Sequence, residues 1–209
     1  MNQSIQSHAD RLAAAAEITA KARHEIEQHE ALAATVHRFK AAAVAGELDD
    51  AGAADLVRQS EALRISEIVF PRKQAVLRDA QSAEYAVAAE VLESLALALD
   101  PLAKEAAAAA DALTAALVDP VAAAIRGDTS AGYERDRGRC MVEQFFPGVF
   151  GAAVLADRIK TASQTTWGAA HVPTEAREIV QVFDAELAAI RSGIAMVRAT
   201  LKAAQRALG

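Results

Sequence analysis

Cysteine occurs once in this chain, at Cys140. No disulfide can form within it, and such sparing use suits a reducing compartment. Aromatic residues make up only 4% of the 209 residues, so the chain lacks the large rings that fill an ordinary compact core. No stretch approaches the roughly 18 uninterrupted apolar residues of a membrane-spanning helix. The nearest, Ala106 to Val118, is short, alanine-dominated and interrupted by Asp111. Met1 to Gln6 carry no basic stretch followed by an apolar one, so a secretory signal is not expected. Basic residues are outnumbered by acidic ones, 22 to 28, for a net charge of -6. That sign argues against a general nucleic-acid binder. These absences lead us to expect a soluble chain, cytoplasmic or held within a soluble assembly.

What the chain has instead is alanine, about one residue in four. Alanine is the best intrinsic helix former, and it buries little area, so helices rich in it must approach closely to build a core. The last third adds a ruled apolar line. Val180, Phe183, Leu187, Ile190, Ile194, Val197, Leu201, Ala204 and Leu208 alternate three and four apart. This heptad spacing lays a narrow stripe along one side of a helix, which a lone helix cannot bury. A second line has the same alternation: Tyr85, Ala88, Leu92, Leu95, Leu99, Leu102, Ala106, Ala109, Leu113 and Ala116.

The expected fold is all-α, an elongated bundle or hairpin of four to five helices with coiled-coil-like seams, forming one folded unit. Residues 1–126 form a long-helix region with helices over about 8–44, 51–69 and 72–126. Gly46 and the pair Asp49-Asp50 read as a stop followed by a fresh N-cap. Ile65 to Phe70 is rich in β-branched residues and admits a short extended piece. Pro71 disfavours helix at Phe70 and marks a break or kink there. Across Pro101 the seam runs on, which predicts one helix bent at that point, whereas Pro120 marks a true end or restart. Residues 127–172 are loop-rich, with glycine, three of the six phenylalanines and the only tryptophan. A short helix is expected there, around Ala152 to Thr161. Residues 173–209 form the C-terminal heptad helix, capped by Thr174. Its charge order, Glu175 and Glu178 first and Arg198, Lys202 and Arg206 last, complements the helix dipole.

Candidate chemistry is thin. His24 to His29 nearly spells the helical zinc motif, but the position four after His24 is Gln28. His24 and His29 stand about 140° apart around a helix and do not share a metal from one face. The expectation is an exposed His24 and a His29 that lines a seam. Gly127 and Gly132 copy the glycine spacing of a phosphate loop, but Tyr133-Glu134 follows where lysine and a hydroxyl belong. Ser130 lacks the preceding glycine of a nucleophile elbow. Arg135, Arg137 and Arg139 flank Cys140 and could lower its pKa, but a reactive thiol also wants a partner Cys or a His base, so a buried or inert Cys140 is expected. The arginines are also an anion-patch candidate, yet Glu134 and Asp136 alternate with them and read as a mixed solvated surface. No catalytic, metal, cofactor or small-molecule site is therefore expected.

The concentrated aromatic patch is Phe145-Phe146-Pro147-Gly148-Val149-Phe150. Two readings diverge: a loop that plugs the bundle end within its own chain, favoured for Phe146, or an exposed anchor for a partner, with Phe150 the more exposed ring. The function class that fits best is a non-enzymatic structural or assembly protein. It would pair with itself or another helical protein through its seams, as in a subunit of a virion or a filament. The second class is peripheral membrane or lipid binding through amphipathic helices and the Phe145–Phe150 loop, against which the acidic polar faces count. An enzyme with a site assembled from distant residues is the third.

Overall fold

A computed structural model describes residues 3–118, 144, 146–164 and 172–208. Among the described residues there are four α-helices and no strand, an all-α helical bundle. They are α1 (Gln3–Val44), α2 (Asp50–Leu113), α3 (Pro147–Gln164) and α4 (Val172–Leu208). A single π-helical turn, Thr114–Val118, follows α2. No helix among the described residues is long and apolar enough to cross a membrane.

The turn between α1 and α2 is built by the residues its sequence advertises. Gly46 adopts φ +74, a left-handed conformation that costs glycine little. The Gly46 amide donates to the Ala43 carbonyl at 3.1 Å and the Glu47 amide to the Ala42 carbonyl at 3.0 Å. Together they satisfy two carbonyls orphaned at the helix end. Asp49 then accepts the Gly52 amide on Oδ1 at 2.7 Å, capping α2.

Expected boundaries differ in several places, beginning with α1, which starts at Gln3 rather than near residue 8. The helices anticipated over 51–69 and 72–126 are one helix, α2, which passes through Phe70-Pro71 without a break and ends at Leu113. Ile65 to Phe70 is helical rather than extended. Proline removes the bond that the carbonyl four residues earlier would accept. Both prolines of α2 lie on its exposed side, as do Glu67 and Leu97, whose carbonyls lose that donor. Water can serve a carbonyl there, so the helix continues. The expected short helix at 152–161 is the longer α3, which starts on Pro147. Proline's fixed φ and missing donor suit a first turn. In consequence Gly148, Val149 and Phe150 are helical rather than loop. The C-terminal helix opens at Val172, two residues before the Thr174 cap, with Pro173 in its first turn. Cys140, its neighbouring arginines, the Gly127–Gly132 segment, Pro120 and His171 lie outside the described residues.

By contact the chain divides into two compact units, with boundaries that fall inside α1 and α2. The first, a bundle unit, comprises Met1–Ala9 and Ala88–Gly209; the second, a hairpin unit, comprises Asp10–Val87. The bundle unit buries Leu92, Leu95, Leu99 and Leu113 of α2, Val149, Leu155 and Ile159 of α3, and Ile179, Phe183 and Ile190 of α4. The hairpin unit buries Leu12, Thr19, Ala22, Ile26 and Val36 of α1. Facing them, residues 50–79 of α2 contribute none that is fully buried; Ala80 and Glu84 are the first.

Candidate helix-docking surface

Each ruled apolar line has a definite place. On α4, Val180, Phe183, Leu187, Ile190, Ile194 and Val197 are buried inside the bundle unit. Leu201 and Ala204 are half-buried, and the Leu208 side chain lies outside the described residues. The buried arc of α4 is wider than a seam, because Ala176, Ile179 and Gly193 are buried beside it. A helix packed against more than one neighbour needs that wider stripe. On α2, Ala88, Leu92, Leu95, Leu99, Ala106, Ala109 and Leu113 are buried, while Tyr85, Leu102 and Ala116 are half-buried.

Gly148 and Gly193 mark a close approach of α3 and α4. A Cβ on Gly193 would stand 2.9 Å from both the Gly148 carbonyl carbon and the Val149 nitrogen. A Cβ on Gly148 would stand 2.7 Å from the Ala189 carbonyl oxygen. Backbone lies on both sides, so nothing flexible can yield. This contact was missed at the sequence level, although a lone glycine in the middle of a heptad line is the signal that finds it. It also fixes the aromatic patch. Val149 is buried and Phe146 and Phe150 are half-buried, with Phe150 beside Ala106, Ala107 and Ala110 of α2. Phe145 is outside the described residues.

The histidines are in polar but ordinary surroundings. His24 is exposed and accepts from Gln28 Nε2 at 2.9 Å. His29 is half-buried between the hairpin helices, where Nδ1 shares a 2.8 Å hydrogen bond with Ser66 Oγ and the ring stacks on Phe70 at 3.9 Å. Glu25 and Lys73 make a 3.6 Å ion pair across the same two helices. His37 is exposed. Among the described residues, no cluster of His, Cys, Asp or Glu could hold a metal.

The surface that sequence reasoning overlooked is on α2 of the hairpin unit. Val57, Ile65, Ile68 and Val76 are 71%, 59%, 75% and 50% exposed. They stand away from the half-buried positions Leu56, Leu63, Ser66, Phe70 and Lys73 that line the opposite arc of the helix. Large aliphatic side chains scattered singly are ordinary on a surface, but a row of them on one face is a candidate interaction site. The signal was present as the β-branched cluster at Ile65 to Val69, which reads as strand propensity when taken without its helical spacing. The chain matches no family model, no curated protein and no solved structure.

Proposed function

We infer that this chain is a non-enzymatic assembly protein whose copies join by helix-on-helix contacts, as a subunit of a larger ordered structure of the kind a virion or a filament represents. One observation carries the reading: the exposed aliphatic row Val57, Ile65, Ile68 and Val76 on α2. Covering such a row removes apolar surface from water at about 25 cal/mol per Å², and a neighbouring helix is the matching cover for a helix face. The buried lines on α4 and α2 serve the bundle unit's own core, so association falls to the face left open.

Light scattering on the full chain over a range of concentrations tests this. The expected mass rises above the monomer's 21.9 kDa as concentration increases. A monomer mass at every concentration overturns the reading. Flotation with liposomes in place of self-association would favour the membrane reading instead.

A further inference from the structure

The exposed row on α2 is palindromic in chemistry as well as in spacing. Including the two charged residues among the aliphatics, it reads Val57, Glu61, Ile65, Ile68, Arg72, Val76. The intervals are four, four, three, four and four residues. Reversed, the order has the same intervals, the same aliphatic classes at the ends and centre, and opposite charges at the second and fifth places. At 3.6 residues per turn the six positions fall within an arc of about 100° over about 28 Å of helix. All six are exposed. Neither Glu61 nor Arg72 forms an ion pair among the described residues, although Arg58 and Asp55 nearby do, at 2.7 Å.

Resting on the assembly reading above, we propose that the partner for this face is a second copy of the same chain. It docks α2 antiparallel about a twofold axis that passes between Ser66 and Glu67. In that register Ile65 meets the partner's Ile68, Glu61 meets the partner's Arg72, and Val57 lies towards the partner's Val76. The twofold then repeats each contact. A twofold contact requires a self-complementary patch, and this is what the row supplies. A parallel arrangement in register would oppose Glu61 to the partner's Glu61 and Arg72 to the partner's Arg72, and like charges across a contact discriminate against it.

The spacing also fixes where contact is deepest. Steps of four follow the i±4 ridges of a helix, and two such ridges packed together cross at an angle rather than running side by side. The isoleucines at the centre therefore bury most, the ion pairs flank them, and the valines at the ends touch least. A contact made by one helix from each copy lies at the small end of interface sizes, so the dimer is weak and concentration-dependent. The closed twofold stops at two copies, and any larger particle needs a further contact elsewhere.

Sedimentation equilibrium of the full chain at low salt provides the test. Glu61→Arg and Arg72→Glu each place like charges across the axis and are expected to weaken the dimer by about tenfold or more. The double variant Glu61→Arg/Arg72→Glu rebuilds both pairs in reversed sense and is expected to return the dimer to about its original strength. Circular dichroism should be unchanged throughout, since both positions are exposed. A dimer indifferent to the single reversals, or a double variant no better than the singles, overturns this antiparallel twofold pairing while leaving the assembly reading intact. A monomer at all concentrations overturns both.

Discussion

The two units of this chain use the same material, alanine-rich helix, to opposite ends. In the bundle unit α4 presents a wide buried arc and α3 is seated against it at the Gly148–Gly193 contact. In the hairpin unit, residues 50–79 of α2 hold no fully buried position, and the same stretch exposes Val57, Ile65, Ile68 and Val76. A helix with neighbours on more than one side buries its large apolar residues within the chain. Among the described residues the hairpin unit holds two helical segments and no third, and Val57, Ile65, Ile68 and Val76 are exposed. The difference lies in the number of neighbours, not in the quality of the helices.

The largest expected effect separates the two units directly. Leu187→Asp or Ile194→Asp places an unpaired charge in the bundle's buried arc and should destabilise by about 3–5 kcal/mol in urea melts. Ile68→Asp in the hairpin should change monomer stability by no more than about 0.5 kcal/mol, because its side chain is already solvated. Similar losses at the two places would erase the distinction between a closed face and an open one.

Glycine sharpens it at the next scale. Gly193→Ala gains up to about 1 kcal/mol of helix propensity, but its Cβ is driven against the Gly148 and Val149 backbone. We expect a net loss of about 1–3 kcal/mol, the range for overpacking. Gly52→Ala, in the first turn of α2, meets Leu48 Cγ at 3.0 Å and the capping Asp49 Oδ1 at 3.1 Å. Both belong to side chains that can give by a few tenths of an ångström, so the net change should stay within about 1 kcal/mol, smaller than at Gly193. Thermal melts of the two variants, with the larger loss at Gly193, are the check.

How much of this could be read from residues alone depends on which neighbour does the work. The α4 line from Val180 to Val197 is legible because three-four spacing is a property of a single helix. The Gly46 and Asp49 signals are legible because turn and cap chemistry is local. The continuity of α2 through Pro71 was not, since a missing donor breaks a helix only where the freed carbonyl cannot reach water, and exposure is a tertiary fact. The Val57 to Val76 row was hidden for a related reason. Glu61 and Arg72 interrupt it, so it reads as no seam, and its exposure is likewise a tertiary fact. The Gly148–Gly193 contact joins residues 45 positions apart, which periodicity cannot connect.

A smaller effect belongs to the hairpin turn. Asp49→Ala removes the acceptor that holds the Gly52 amide at 2.7 Å and should cost about 1 kcal/mol, with Asp49→Asn restoring most of it. Equal losses for alanine and asparagine would mean that charge near the helix start, rather than the capping bond, carries the contribution.

The smallest effect concerns ion pairs that bridge helices in each unit. Arg198 of α4 meets Glu105 of α2 at 2.6 Å in the bundle, with side chains 60% and 41% exposed. Lys73 and Glu25 meet at 3.6 Å in the hairpin, with side chains 28% and 57% exposed. Solvent screens both, and exposed pairs are typically worth about 0.2–1 kcal/mol. The guanidinium contact is shorter, but the bundle's apolar core already fixes its two helices, so the pair adds little that packing does not determine. In the hairpin the pair lies on the same helix–helix contact as the His29 stack and the Ser66 bond, where α2 has no fully buried residue before Ala80. Double-mutant cycles on Glu105/Arg198 and Glu25/Lys73 should therefore both return couplings below about 1 kcal/mol, each shrinking in high salt. A Glu25/Lys73 coupling well above the Glu105/Arg198 value would show that the hairpin leans on charge where the bundle leans on burial. Equal small values would assign both units to packing alone.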